Sequence, residues 1–262
     1  MDKKAVFKEL LDKFETEEMR LYCEDMIENI PDYIFTMPSS TSGKFHNATQ
    51  CKKHGQIYHI IMFGAIMNYL LALKHNKEKF STPKERDAMR CVPIFHDAIK
   101  CGWNGSTFTV HDHPMLAGEW VENTNVEHNI DDETKKSIAN MCRSHSGEWT
   151  TSKRSKIVMP EPQTDAEKLV HECDILSSRA DIDMQPSDYL KEVLEEGMAE
   201  GLPDPHTFIM DFGKKYSGML LKDVVYKHHD YIDWMRENNI TREPLMTLIE
   251  ILENEKQEDD EI

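Results

Sequence analysis

The sequence predicts a mainly α-helical protein, with a helical bundle over about residues 1–185 and a small α+β module over about 186–252. Two observations predict the bundle: apolar residues recur at helical spacing, and helix-start and helix-end residues separate the periodic segments. A change of composition after residue 205 indicates the module. The 262 residues are enough for one large core and a small second domain.

The N-terminal part predicts two helical regions around a long loop. Residues 1–30 alternate apolar and charged positions at helical spacing, which favours one or two amphipathic helices. Residues 36–55 are polar and rich in turn-forming residues, so we predict a loop, and a loop of this length usually has a function. Residues 56–75 follow as a strong helix candidate with a continuous apolar face.

The middle of the chain predicts four more helices. Pro114 after His113 suits the first turn of a helix, and the pair Asp131-Asp132 can cap the next one. A second long loop, 146–164, precedes a helix that Asp165 opens. The four helices are 84–100, the segment entered at His113, 132–145 and 165–180.

The C-terminal part predicts a different kind of structure. Residues 181–204 are predicted as a polar helix plus turns. The segment FIMDFGKKYSGMLLKDV, residues 208–224, resembles a short β-hairpin with a Gly turn, and two helices follow it. The acidic tail ENEKQEDDEI, residues 253–262, is predicted to be disordered.

Composition restricts the partners and the compartment. Asp and Glu number 48 against 31 Lys and Arg, and the net charge of −17 disfavours tight, non-specific capture of long nucleic acid. The six Cys contain no Cys-x-x-Cys pair, which favours reduced thiols in a cytoplasmic protein. No secretory signal is predicted at the N-terminus. His59 and Asn68 interrupt the apolar run 57–73, so we expect no membrane span.

Six residues carry most of the chemical information in the sequence. They are His59, His96, Asp97, His113, His145 and Asp174. Imidazole nitrogens and carboxylate oxygens together make a mixed ligand set for one or two divalent ions, and this set does not distinguish Mn, Fe, Co, Ni, Mg and Zn. Such an ion lowers the pKa of bound water and promotes cleavage of phosphate esters.

The adjacent pair His96-Asp97 lies at the end of the apolar segment VPIFHDAIKCG. Burying two polar side chains there is costly unless something satisfies them, and a metal does so. Asp97 can bridge two ions through its two oxygens. Lys100 shares their face on the predicted helix and can hold a phosphate oxygen. Any one of the predicted histidine ligands could instead be a satisfied core histidine, but the ordered set favours a metal site that tertiary packing assembles.

The order His, His-Asp, His, His, Asp resembles the HD-domain metal-dependent phosphohydrolase superfamily over about residues 30–182. MPSSTSGKFHNATQCKKHGQIYH resembles the loop-then-helix entry of HD domains in phage proteins and in HD-domain 3′–5′ exoribonucleases. HDAIKCG matches the pattern His-Asp-x-x-Lys-x-Gly, and TVHDHPMLAGEW resembles the segment that supplies the third His. The resemblance implies an HD-type helical bundle, a hydrolase and a bacterial or phage source.

The resemblance also implies the roles of the ligands. The core set is His59, His96, Asp97 and Asp174, with His113 and His145 as ligands of a second ion. Two of these positions have rivals in the sequence, since His54 precedes His59 and His111 precedes His113. The helical pattern that follows His59 and the Pro after His113 favour those two residues. His111 is then a candidate proton donor.

Two more residues are candidate substrate ligands after Asp174. Ser177 lies at i+3 and shares the face of Asp174 on a regular helix. Arg179 is implied by the resemblance as a phosphate ligand, although a regular helix turns it about 140° away from Asp174. The alternative for Arg179 is a solvated or ion-paired side chain.

Two basic segments are candidate nucleic-acid contacts. Lys153 and Arg154 follow the fourth His in a short cluster, which either guides a strand or is a solvated charge run. Residues 212–238 resemble the small C-terminal domain of exodeoxyribonuclease X-like proteins. This resemblance implies nucleic-acid contacts through Lys214, Lys215 and an aromatic residue. The alternative is that the aromatic residues form only the core of the module.

We therefore expect a hydrolase of phosphoester bonds in nucleic acid or nucleotides, with Asp97, Lys100 and His111 in the chemistry. A nuclease is favoured because two regions resemble parts of nucleases. A nucleotidase or dNTP triphosphohydrolase fits the acidity equally well. A di-iron oxygenase of HD type and a non-catalytic binding protein remain open, as does the oligomeric state.

Overall fold

The computed structural model describes residues 2–40, 46, 49–103, 105, 106, 109–153, 155–179, 181, 182, 187–196, 205–210, 215–238, 240 and 245–260. All regular secondary structure within these ranges is helical, and the two β-bridges, Ser152–Ser155 and Ile209–Leu220, are isolated. The predicted mainly α class is therefore confirmed.

Thirteen α-helices lie in the described part of the chain. The first nine are α1 (Lys3–Val6), α2 (Lys8–Leu11), α3 (Glu17–Glu28), α4 (Gly55–Ala72), α5 (Lys74–Lys79), α6 (Pro83–Phe95), α7 (His113–Asn123), α8 (Asp132–Ser144) and α9 (Asp165–Ser178). The others are α10 (Asp188–Glu196), α11 (Leu221–Lys227), α12 (His229–Glu237) and α13 (Leu245–Asp260). Two 3-10 helices, Asp32–Phe35 and Thr49–Cys51, lie between α3 and α4.

Helix starts predicted from the sequence are confirmed at three places. The Asp131 side chain accepts a hydrogen bond from a backbone N–H in the first turn of α8. Thr164 and Glu167 form a capping box at the start of α9. Helix α7 begins at His113 with Pro at its second position. These starts fix three helices that carry predicted ligands.

One large core, with buried residues from α1 to α10, holds the bundle together. Helix α4 packs against α6 and α9, and α7 packs closely against α8. By length and composition α4 could cross a membrane, but 56% of that stretch is buried inside the protein. Gly64 lets α2 approach α4, because a Cβ there would lie 2.5 Å from Leu10 Cδ2. Helix α4 is therefore a core helix that carries His59 into the bundle.

Two predictions about the first hundred residues are corrected. The N-terminal segment forms three helices, α1 to α3, where one or two were predicted. Helix α6 ends at Phe95, short of residue 100, because the backbone then turns tightly. The N–H groups of Ala98 and Lys100 donate to the carbonyls of Phe95 and Asp97, three and not four residues back. His96 and Asp97 thus leave the helix and lie at the start of this turn.

A second, smaller core joins α11, α12 and α13 through Leu221, Ile232 and Leu248. The predicted β-hairpin is not confirmed, since the described residues there form only the single bridge Ile209–Leu220. The chain enters α11 directly after this bridge, so the second strand has no length in which to form. Residues 211–214, the centre of the predicted hairpin, lie outside the described residues.

Two helices in the last third differ in detail from the predictions. Helix α10 is amphipathic, because it buries Leu190 and Leu194 where a polar helix was predicted. Disorder was predicted after residue 252, but the acidic segment continues α13 as far as Asp260. Glu, Lys and Gln favour the helix, and Leu248 and Leu252 anchor the earlier turns of α13 in the small core.

Candidate metal centre

The six predicted ligands converge at one cavity of about 430 Å³. They come from five parts of the bundle: His59 from α4, His96 and Asp97 from the turn after α6, His113 from α7, His145 from the end of α8 and Asp174 from α9. Five of them line the cavity, and His96 lies fully buried beneath them. The centre is therefore assembled by tertiary packing, as the sequence predicted.

One group of ligand atoms is centred on two imidazoles. His59 Nε2 lies 3.2 Å from His96 Nε2 and 3.1 Å from Asp174 Oδ1. His96 Nε2 lies 3.9 Å from the same carboxylate oxygen. These three residues can each offer one atom to a common ion, since the three atoms lie within 4.8 Å of one another.

The second group is centred on Asp97. Its Oδ2 lies 3.2 Å from His96 Nε2, and its Oδ1 lies 3.0 Å from His113 Nε2 and 3.9 Å from His145 Nε2. His96, Asp97 and His145 form a second set with ligand atoms within 4.8 Å of one another. His96 belongs to both sets, and the carboxylate of Asp97 faces both.

Hydrogen bonds on the far side of each ring set the tautomers. The Nδ1–H groups of His96, His113 and His145 donate to backbone carbonyls three residues earlier, at 2.9, 2.7 and 2.7 Å. For His59, Nδ1 lies 3.2 Å from Ser177 Oγ, whose own proton goes to a carbonyl of α9. Each ring therefore holds its proton on Nδ1 and turns the lone pair of Nε2 towards the centre.

This arrangement fits a metal ion. Two Nε2 lone pairs 3.2 Å apart, on His59 and His96, cannot hydrogen-bond to each other without a proton or a metal between them. Asp97 Oδ1 is buried and has no hydrogen-bond donor, a costly state unless a cation satisfies it. Imidazole nitrogens with carboxylate oxygens suit first-row divalent metals. The histidine and aspartate clusters can therefore hold a metal, while the donors leave its identity open.

Burial and charge set the protonation of the centre. Burial lowers the pKa of His59, and it lowers that of His145 to about 3. Burial also acts against a charge on His96, but the neighbouring Asp97 outweighs it and raises the His96 pKa. Burial acts to raise the pKa of Asp97, but Lys100 and the adjacent histidines hold it well below its usual range. At neutral pH His59 and His145 are neutral ligands beside an ionised carboxylate.

Lys100 and Gln56 hold Asp97 from the other side. Lys100 Nζ donates to Asp97 Oδ2 at 2.7 Å and to Gln56 Oε1 at 2.8 Å. Gln56 Nε2 completes the triangle by donating to Asp97 Oδ2 at 2.9 Å. The predicted proximity of Lys100 to Asp97 is confirmed, although a turn and not a helix face produces it. The three groups are buried, so the carboxylate is held in one orientation.

Three residues at this site have no signal in the sequence. Gln56 lies at the start of the predicted helix 56–75, where its pattern indicates only a helix position. His46, from the loop before α4, lines the cavity with its ring 5.8 Å from that of His59. Its Nδ1 is buried without a hydrogen-bond partner. Trp149 also lines the cavity, from the loop after α8. Since these loops have no periodicity, only the folded chain shows which of their residues face the centre.

Three predicted positions lie elsewhere. His54 is the residue before α4, with a φ of +59°, and its Nδ1 contacts the carbonyl of Phe35, whereas His59 lines the cavity and is the candidate ligand of this pair. His111 does not line the cavity. Ser177 is fully buried behind His59, where it cannot reach a substrate. The neighbouring Ser178 lines the cavity in its place.

The predicted cationic residues divide into three cases. Arg179 lines the cavity, because α9 ends at Ser178 and the extended backbone of Arg179 breaks the helical rotation. Lys153 is exposed and does not line the cavity. Lys215 is exposed in the C-terminal unit, by which we mean the part of the chain that contains the second core and α11 to α13. Its Nζ lies 4.8 Å from the centroid of the Tyr216 ring. The predictions for Arg154 and Lys214 lie outside the described residues.

A larger cavity of about 670 Å³ lies between α2, α4 and α10. Apolar and amide side chains such as Ile61, Met62 and Asn68 line it together with Asp12 and Lys13. Among the described residues its lining contains no His or Cys. Ligand chemistry, and not size, therefore selects the smaller cavity as the candidate functional site.

No family model matches the chain, and no curated protein or solved structure matches it either. The assignment of a metal centre consequently depends on the converging ligand atoms and their hydrogen bonds.

Proposed function

We propose that the protein is a metal-dependent phosphohydrolase that cleaves phosphoester bonds in nucleotides or nucleic acid. The observation that carries the proposal is the convergence of four imidazole Nε2 atoms and two carboxylates beside a buried cation, Lys100. The combination supports a centre for a divalent ion next to a place for an anionic group. Ser177 is not part of that place, which leaves Lys100 and Arg179 as the substrate ligands.

The six candidate ligands fall into two groups, one for each ion. His59, His96, Asp97 and Asp174 would hold one ion, and His113 and His145 would extend the site to a second. A divalent ion bound there supplies concentrated positive charge and lowers the pKa of a water molecule at neutral pH. The carbonyl hydrogen bonds to Nδ1 keep the rings from rotating, so the ligand atoms stay directed at one place.

Lys100 and Arg179 are the groups that bind phosphoryl oxygens in this proposal. Lys100 has three N–H donors, of which Asp97 and Gln56 take two, so one remains for the cavity. Arg179 lines the mouth with a side chain that is 56% exposed, and within the described part of the chain it pairs with the exposed Asp181. A phosphate can displace such a surface pair at little cost.

In this proposal His46, and not His111, is the imidazole that contacts the leaving oxygen. Burial lowers the pKa of His46 to about 3, so the ring is neutral and carries one proton at neutral pH. The His46 ring lines the cavity, whereas His111 does not. A neutral ring there can donate one hydrogen bond to an ester oxygen and so stabilise charge that develops on it.

Hydrolysis by metal-stripped protein refilled with Mn²⁺ tests this proposal. Substrates are single-stranded DNA, RNA and a panel of dNTPs, and the variant Asp97→Asn removes the central charge with little change of shape. Asp188→Asn, at an exposed position of α10, is the matched control. We expect Mn-dependent turnover in wild type and control, and loss of at least about a hundredfold in Asp97→Asn.

The products separate the alternatives. Shortened oligonucleotides support the nuclease and a nucleic-acid role for the C-terminal unit. Release of phosphate or triphosphate from free nucleotides, with oligonucleotides intact, supports the nucleotidase. Turnover of neither substrate class, with uptake of O₂ by iron-loaded protein, would contradict the phosphohydrolase proposal.

A further inference from the structure

We propose that Trp149 forms a binding subsite for a planar nucleobase at the mouth of the metal-centre cavity. The inference rests on the proposed function. It names a second part of the substrate, besides the phosphate, that the protein would recognise. It assigns the specificity of the site to one exposed indole. The partner is a nucleobase attached, through its sugar, to the phosphate that faces Lys100 and Arg179.

The cavity has a polar floor and a less polar mouth. The floor consists of the histidines and aspartates of the metal centre with Lys100. Trp149 and Ile175 are the large apolar side chains in the wall, and they come from two different elements: the loop after α8 and helix α9. A ligand that fits both regions has an anionic end and a flat apolar end, which describes a nucleotide. About 430 Å³ is within the usual range for a small-molecule site.

Trp149 is exposed but it is held in place. Its side chain is 58% exposed, while its ring centroid lies 6.0 Å from that of His171. His171 in turn donates from Nδ1 to the carbonyl of His145 at 2.7 Å. The ring against which Trp149 packs is therefore tied by one hydrogen bond to the backbone of His145, a candidate ligand of the metal centre. A held, exposed indole is a ready stacking surface, since little side-chain freedom is lost on binding.

Gly147 makes this packing possible. Its φ is +60°, and a Cβ at this position would lie 2.0 Å from the His171 ring. No other residue type allows both the turn and the close approach of the ring. Because His171 fills that space, the loop turns back over α9 and carries Trp149 to the rim of the cavity. The Ser-Gly-Glu-Trp sequence after His145 thus forms the turn that brings the Trp149 indole to the cavity.

Stacking on an indole tolerates different bases because every base has a flat π-face. We therefore expect the protein to distinguish substrates with a base from substrates without one, and to distinguish poorly between different bases. Two further exposed tryptophans, Trp103 and Trp234, do not line the cavity, and they provide matched controls. Trp103 is the closer match, with 54% of its surface exposed.

The test is calorimetric binding to Mn²⁺-loaded full-length protein. The probes are a non-hydrolysable phosphonate analogue of adenosine monophosphate and the corresponding base-free ribose phosphonate. We expect Trp149→Ala to weaken binding of the adenosine analogue, relative to the base-free analogue, by about tenfold or more. Trp149→Phe should restore most of the preference, because a smaller ring still stacks. Trp103→Ala should keep the wild-type ratio.

The outcomes separate this inference from the function on which it rests. An unchanged ratio in Trp149→Ala overturns the base subsite, while Mn-dependent hydrolysis of phosphoesters by the same preparation would leave the phosphohydrolase standing. Failure of wild type to bind either phosphonate, together with no hydrolysis, would overturn both. A steady-state comparison on nucleotides adds a second readout, since loss of stacking should raise KM much more than it lowers kcat.

Discussion

The proton position on each imidazole defines the metal centre at the residue scale. A histidine that donates from Nδ1 to a fixed carbonyl has its Nε2 free as a ligand, and His96, His113 and His145 all use a carbonyl three residues earlier. The same local geometry recurs because each of these residues lies at a helix end or in a turn. His59 lies inside α4 and obtains the equivalent contact from Ser177 of α9.

Replacement of Ser177 by Ala tests this role of the hydroxyl. The change leaves the Nδ1–H of His59 without an acceptor, so the ring can change tautomer or rotate. We expect the affinity for Mn²⁺ to fall by about 10- to 100-fold, the usual effect of losing a group that orients a ligand. Titration calorimetry on metal-stripped protein measures it. Ser137→Ala, at an exposed position of α8, should match wild type, and an equal affinity in both variants would contradict this role.

A second cluster at the residue scale gives a prediction about pH. Glu15 accepts hydrogen bonds from Arg86 and Arg90 of α6, which lower its pKa from 4.5 to about 2. Because the pKa is lower in the folded state, the stabilisation is full above about pH 4.5 and is lost as the pH falls towards 2. Allowing for partial exposure of Glu15, it contributes about 1–2 kcal/mol.

Urea unfolding of wild type and Glu15→Gln measures this contribution. We expect the difference in free energy of unfolding to be constant from pH 7 to 5 and to shrink below pH 4.5. Glu78→Gln, in an exposed pair of α5, should differ from wild type by less than about 0.5 kcal/mol throughout. A difference that grows on acidification would contradict the assignment.

At the element scale, the close contact of α7 and α8 fixes the spacing of His113 and His145, which we call the two outer ligands. A Cβ on Gly118 of α7 would lie 2.6 Å from Arg143 Cγ and 2.9 Å from the carbonyl oxygen of Ala139. The Arg143 side chain could move aside, but the Ala139 carbonyl could move only if the whole of α8 shifted. The spacing of His113 and His145 therefore depends on a glycine at this crossing.

Gly118→Ala is expected to destabilise the protein by about 1–3 kcal/mol, because the added methyl group pushes α7 away from α8. The shift should also weaken Mn²⁺ binding at His113 and His145 more than at His59, His96 and Asp174. Thermal unfolding and Mn²⁺ titration measure the two effects. Glu119→Ala changes the adjacent exposed residue of α7 and should have little effect on either. A Gly118→Ala protein as stable as wild type would show that the helices are not in close contact.

Local signals in the sequence predicted most elements and missed what depends on tertiary contacts. Asp131 and Asp165 mark helix starts in the sequence, so α8 and α9 could be located correctly, and the structure adds Thr164 as the residue that caps α9. The end of α6 could not, because the apolar pattern continues through Ile99 while the backbone already turns. The hairpin prediction failed because strand patterning over a few residues does not determine whether the chain will pair or enter a helix.

The same distinction applies to the site. Adjacent His96 and Asp97 in an apolar segment are a strong signal, because two buried polar groups need a partner. Gln56, His46 and Trp149 gave no such signal, since their roles depend on which side chains other elements bring near them.

At the scale of the whole molecule, charge favours metal ions over long polyanions. The net charge of −17 attracts divalent cations and repels extended phosphate backbones. The cationic side chains beside the metal centre, Lys100 and Arg179, are few and local. This balance suits capture of one nucleotide unit or one chain end more than capture of a long duplex.

Metal content tests the central claim most directly. His96 belongs to both ligand sets, so His96→Ala should remove more metal than any other single change. We expect one or two Mn²⁺ per chain in stripped and refilled wild type by mass spectrometry, almost none in His96→Ala, and a wild-type value in His75→Ala, an exposed histidine of α5. Equal metal content in wild type and His96→Ala, with both proteins folded, would contradict the proposed centre.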